Sequence, residues 1–230
     1  MLRRHILATI ALLASASVLC AQTPPGQPAT NAPIESPSPG QQETMEDPQI
    51  GDHWTYEVRD EVSGDVKSTI TFTITDITPA EFGIRLAVVG KPDVGYQTYS
   101  RSWDLTSNGT WRSTPNDGTG IRAPLSVGKT WTTKASDSNT SAGINLKRTS
   151  ASKVTAKESV TTRAGTFEVF KIETSIEMRN SNDPTKKITS EQQTWYAPAI
   201  NHWVKRTYVS RSEGKVRDRS AVELVEYGRR

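Results

Sequence analysis

A single cysteine, Cys20, and three histidines, His5, His53 and His202, are all that this 230-residue sequence holds of the side chains that most often carry metal or thiol chemistry. One cysteine excludes an intrachain disulfide and a cysteine-rich zinc site. No His-x-x-x-His pairing and no Gly-x-Ser-x-Gly elbow is present. Helical periodicity is scarce, and beyond the N-terminus no apolar run approaches the roughly 18 residues of a membrane-spanning helix. The expectation is a protein that is not an enzyme, uses no cofactor and no metal, and has no transmembrane span in its mature chain.

The N-terminus reads as a secretory signal over residues 1–21. Arg3 and Arg4 form its positive start and Ile6 to Leu19 its apolar core, with cleavage after Ala21 or after Ala16. Cys20 would permit lipid anchoring. Leu19, however, stands where lipobox cysteines usually follow Gly or Ala, so a periplasmic or secreted chain is the expectation. Residues 22–47 read as a disordered linker. Seven prolines lie between 22 and 48, among Gln, Ser, Thr and Gly that cannot bury enough apolar surface to offset the entropy of ordering. Residues 48–228 are long enough for one domain with a substantial core.

Charge is uneven along the chain. Residues 22–47 carry four acids and no base, 48–125 ten acids and seven bases, and 126–230 eleven acids and nineteen bases. The basic C-terminal half is read first as a solvated face with long Lys and Arg stems. Its alternative role is a surface for an acidic envelope component, presented by Lys205, Arg206, Arg211 and Lys215.

What the sequence does have is a duplicated tryptophan pattern. Gly51 and Trp54 are followed by Trp103 and Trp111; Gly128 and Trp131 are followed by Trp195 and Trp203. In each copy a glycine precedes the first tryptophan by three residues, and the later pair is eight residues apart. Recurring aromatic landmarks predict repeated units, here about 48–125 and 126–228. Around them the chain alternates with period two. Thr69, Thr71, Thr73 and Thr75 interleave with Ile70, Phe72 and Ile74, and Asn108-Gly109 predicts a hairpin turn with Trp103 and Trp111 on its flanking strands. In residues 166–178, Phe167 and Val169 fall in one register and Phe170 and Ile172 in the other, which a bulge or a strand covered on both faces would reconcile. The fold class expected is all-β: a strongly curved antiparallel sheet, half-barrel or barrel-like, made of two similar halves.

Three segments carry a family resemblance. Val127-Gly128-Lys129-Thr130-Trp131, then Ala164-Gly165-Thr166-Phe167 leading to Lys171-Ile172, then Trp195-Tyr196-Ala197-Pro198 leading to Val204-Lys205, resemble secreted β-rich proteins of the TapB-like type. There the third motif commonly runs into a glycine-rich turn, whereas Ala199, Ile200, Asn201 and His202 stand here. The resemblance covers roughly residues 48–228. It implies an exported antiparallel β domain and brings no catalytic residue with it.

Candidate chemistry is thin. His53 and His202 each neighbour a landmark tryptophan, and capping or exposed histidine is the reading preferred over a metal site. Glu57 and Glu61 would share a strand face, as a glycosidase pair does, but a solvated acidic hairpin is preferred. The halves differ in charge sign, so no nucleic-acid partner is expected. Trp103, Trp111, Trp195 and Trp203 are the candidate ligand-binding residues for a lipid or other apolar molecule. Trp54, Trp103, Trp131 and Trp195 are expected to be buried.

Overall fold

A computed structural model describes residues 44–61, 63–91 and 95–229 of the chain. The signal segment and the linker up to residue 43 lie outside the described residues. Among those described there is no α-helix, and twelve strands form a closed antiparallel barrel in which every strand pairs with its sequence neighbour and β1 with β12. The strands are β1 (His53–Arg59), β2 (Val66–Ile77), β3 (Glu81–Val88), β4 (Gly95–Ser100), β5 (Leu105–Ser107) and β6 (Arg112–Thr114). There follow β7 (Thr130–Asn139), β8 (Ile144–Thr162), β9 (Gly165–Asn180), β10 (Lys187–Ala197), β11 (His202–Ser212) and β12 (Lys215–Gly228). A 3-10 turn, Pro198–Ile200, joins β10 to β11.

The alternation read from the sequence is the inside-outside pattern of this wall. Ile70, Phe72 and Ile74 of β2 stand opposite Val88, Leu86 and Ile84 of β3 on the inner face. The interleaved threonines face out, where Thr71 hydrogen-bonds Thr55 of β1 at 3.0 Å. A continuous row of paired inward residues runs across six strands: Val58, Val222, Arg206, Thr194, Ile172 and Val154. The irregularity beside residues 166–178 is a bulge not in that strand but in its partner β8, at Thr155, opposite Ile172 and Lys171 of β9. Another sits between Trp195 and Tyr196 of β10, where β11 has one residue more, so Trp195 pairs with Lys205 and Tyr196 with Trp203. An extra residue reverses the side-chain alternation. Trp203 and Arg206, three apart, therefore both face the interior.

One end of the barrel is filled. Trp54, Trp103 and His202 are almost completely buried there. The Trp103 ring stacks on Phe82 at 4.6 Å and meets Trp54 edge-on at 5.5 Å. Met45 completes the packing: it is fully buried, and its backbone N–H donates to the Ala199 carbonyl at 2.6 Å. Asn201 donates from Nδ2 to the Glu46 carbonyl and Arg229 to that of Asp47. Residues 44–47, assigned from composition to the linker, thus belong to the folded barrel. A buried methionine and three backbone partners outweigh the local composition.

The two tryptophan copies share their opening. Gly51 and Gly128 both have positive φ, 97° and 91°. Each donates its N–H to a buried strand residue, Ile74 or Val154, whose own N–H returns to the carbonyl of the next residue, Asp52 or Lys129. The later tryptophans differ in setting. Trp103 lies in the turn after β4 at φ 62°, and Trp111 just before β6; neither is on a strand flanking the Asn108-Gly109 turn. Trp195 and Trp203 lie within β10 and β11.

Candidate functional site

At the other end of the barrel the inner wall is not filled. A cavity of about 320 Å³ opens between the ends of β5 to β11. Its apolar lining is Leu105, Trp111, Leu146, Met178 and Ile188, and its polar lining includes Ser113, Asp137, Arg148, Tyr208 and Ser210. A second hollow of similar size shares Trp111, Leu146, Met178 and Ile188, and extends outward past Ile144 and Ser212. Four apolar side chains common to both make one greasy mouth above a polar floor.

That floor is ordered by an ion pair. Arg148 donates from Nε to Asp137 Oδ2 at 2.7 Å, and Ser113 donates to Oδ1 at 2.7 Å. Asp137 is 2 % exposed, so a buried carboxylate is held by a cation and a hydroxyl, as burial requires. Deeper along the inner face of β11, Tyr208 exchanges a hydrogen bond with Ser190 at 2.9 Å. Below Tyr208 comes Arg206. Its Nε donates to Thr194 Oγ1 at 3.2 Å, and its guanidinium carbon lies 3.7 Å from the centre of the Trp203 ring.

The segment between β6 and β7 folds against the inner side. Asp117 receives N–H groups from Leu105 and Thr119 on Oδ1 and the Thr119 hydroxyl on Oδ2, while its carbonyl accepts from Ser150 Oγ. Burial pushes the Asp117 carboxyl up from its ordinary value, against the pull of Arg148. Gly118 and Gly120 are required by this packing. A Cβ on Gly120 would lie 2.6 Å from the Asp104 nitrogen and closer still to the Ser102 carbonyl.

Beneath Arg206, Tyr56 donates to the Trp203 carbonyl at 2.8 Å and takes a short hydrogen bond from Nδ1 of His202. The His202 ring stacks on Trp54 at 4.3 Å, and its Nε2 has no partner among the described residues. Burial, and then the charge of Arg206, hold its pKa well below 6.5. Burial raises the Tyr56 and Tyr99 hydroxyls and pushes Tyr196 up to about 12. Burial and the neighbouring guanidinium thus favour the neutral imidazole of His202.

The tryptophans proposed as a ligand set do not meet. Trp111 lines the mouth. Trp103 and Trp203 are in the filled end. Trp195 is on the outer wall, its Nε1 donating to Glu158 and its ring flanked by Lys171 and Lys205. The four basic residues proposed as a docking patch are also divided. Lys205 stands against Trp195 outside, Arg211 pairs with Glu191 at 3.5 Å, Lys215 is exposed at the start of β12, and Arg206 is inside the barrel. The bulge at Trp195, invisible in the sequence, is what turned Arg206 inward. Glu57 and Glu61 do not form a pair either: Glu57 contacts Arg59 and Arg163, and Glu61 contacts Arg219. Among the described residues no group of three or more His, Cys, Asp or Glu is placed to hold a metal.

Sequence reasoning missed Arg148, Asp137 and Tyr208. The signal was present in β8, where Leu146, Arg148, Ser150, Ser152 and Val154 form one register. An arginine sharing the inward register with a leucine and a valine marks a polar floor.

Comparison with known proteins bears on the fold. A family model described as DUF3108-like matches residues 115–211; the three motifs fall in that span, but the model that matches is not a TapB-like one. Among solved structures the chain is similar to a candidate lipoprotein from Parabacteroides distasonis, with a TM-score of 0.50 and 16% identity over 82% of this chain and 100% of that one. It is similar also to a candidate exported protein with YmcC-like fold from Bacteroides fragilis, with a TM-score of 0.46 and 14% identity over 79% and 97% of the two chains. A third is the hypothetical lipoprotein YmcC from Escherichia coli, with a TM-score of 0.47 and 10% identity over 77% and 85%. No curated protein matches. At 16% identity the likeness to the Parabacteroides structure is one of fold.

Proposed function

We propose that this chain is an exported, non-catalytic barrel that binds an amphipathic molecule at its open mouth. The observation that carries the reading is the division of the inner face. One end is packed solid with aromatic rings, and the other presents a cavity of about 320 Å³ with an apolar rim and a polar floor. Ligand sites are concave, mostly apolar and furnished with a few fixed polar groups, at volumes of about 300–1,000 Å³. The N-terminal signal pattern and the lipoprotein description of the Parabacteroides structure support a place in the cell envelope. A docking role for the basic half is the weaker reading, because Arg206 is not on the surface.

Native mass spectrometry of the full chain, before and after organic extraction, tests the proposal. An extractable adduct of lipid mass is expected, and Leu146→Asp, which puts a charge in the rim, should remove it. A clean mass that stays clean after adding acyl lipids would overturn the reading.

A further inference from the structure

We infer that Arg206 is the receptor for an anionic headgroup, carboxylate or phosphate, of an amphiphile whose chain lies in the mouth. The inference rests on the proposed mouth site and names the chemistry of its ligand. Arg206 sits in the inward row between Val222 and Thr194, one strand position from the packed rings. Charges in such places are normally paired. Among the described residues, however, no carboxylate oxygen comes within the 4.0 Å of an ion pair with it. Its contacts are a threonine hydroxyl at Nε and the face of Trp203. Asp117 is the carboxylate whose charge reaches it, but both Asp117 oxygens are engaged by Leu105 and Thr119. Arg148, also on the inner face, already has Asp137.

Arg206 is partly buried although it points inward, and its two Nη atoms, without a hydrogen bond among the described residues, are not among the fully buried unpartnered atoms, so they meet open space. Inward positions on one strand are about 7 Å apart. The row Arg206, Tyr208, Ser210 and Ser212 is a ladder from that space to the cavity walls, with Tyr208 and Ser210 lining the inner hollow and Ser212 the outer. A bound anion would receive the fork of a guanidinium whose plane is already held by Trp203, the geometry suited to carboxylate and phosphate. The apolar rim above would hold the chain.

The test titrates the full chain with four dodecyl probes: dodecanoate, dodecyl phosphate, neutral dodecanol and cationic dodecyltrimethylammonium. Both anionic probes are expected to bind at least about tenfold more tightly than the neutral and cationic ones, and whichever anion is preferred identifies the headgroup. Arg206→Gln should abolish that preference while dodecanol still binds. Arg206→Lys should restore part of it. The head-to-head comparison in the unaltered chain stands even if Arg206→Gln does not fold. Equal binding of all four probes would overturn the headgroup site and leave the mouth site standing. Failure of every probe would overturn both.

Discussion

Trp54 and Trp195 occupy opposite settings in the same wall. Trp54 is fully buried, donates to the Ile200 carbonyl at 3.2 Å and touches Trp103 and His202. Its truncation to Ala should destabilise the protein by about 3–5 kcal/mol. Trp195, half-buried on the outer wall with two lysines beside its ring, should lose less, about 1–2 kcal/mol, on the same change. Urea denaturation of the two variants checks this, and equal midpoint shifts would show the assignment of faces to be wrong. His202 gives a second prediction at this scale. Its pKa is depressed in the folded state relative to the ordinary 6.5, so the unfolded chain takes up a proton that the folded chain refuses. Stability from this residue is present above 6.5 and declines as pH falls below it, by about 1.4 kcal/mol per unit until the depressed value is reached. The slope should appear as pH falls below about 6.5 and vanish in His202→Gln. Asp117 acts with the opposite sign, since a carboxyl raised by burial favours the folded state as it protonates.

At the scale of elements, the two glycine-led openings and the loop before β7 separate backbone conformation from packing. Gly128 has φ 91°, and a Cβ added there would meet nothing within 4 Å, so Gly128→Ala should cost about 1–2 kcal/mol through the left-handed backbone alone. Gly120 is not left-handed, yet its Cβ would strike the Asp104 and Ser102 backbone. Gly120→Ala should cost about 3 kcal/mol and loosen the loop that carries Asp117. Thermal melting of both, with hydrogen exchange at Leu105 and Ile121, would show which cause dominates. The strands were largely readable, because alternation of Ile and Thr in β2 follows from a wall with one wet face. The hairpin at Asn108-Gly109 was readable too, since Gly109 takes φ 83°. Trp103 was not. A tryptophan at φ 62° is strained, and its packing against Phe82, Trp54, Tyr99 and His202, its bond to the Asn201 side chain and its N–H on the Ser100 carbonyl hold it there.

For the whole molecule, closure at one end and access at the other are the features on which the proposals depend. Met45 closes the packed end from outside the strands, and Met45→Ala should lower stability by about 2–5 kcal/mol without altering amphiphile binding. Leu146→Asp should do the reverse, weakening binding with a small change in melting, because Leu146 stands on the rim and not in the packed core. Calorimetry of the two variants beside a dodecanoate titration distinguishes them; loss of binding in both would mean the ends are not independent.

The local pattern determined that this chain is all-β, strongly curved and turned at particular glycines, because side-chain alternation and positive φ are properties of a few neighbouring residues. The tertiary structure decided which tryptophans share a space. It set Trp195 outside and Trp111 at the mouth, brought Met45 into the core, and turned Arg206 inward through a one-residue bulge. Such outcomes depend on register between strands and on closure of β1 against β12, where one residue of slip moves a side chain from water to the interior.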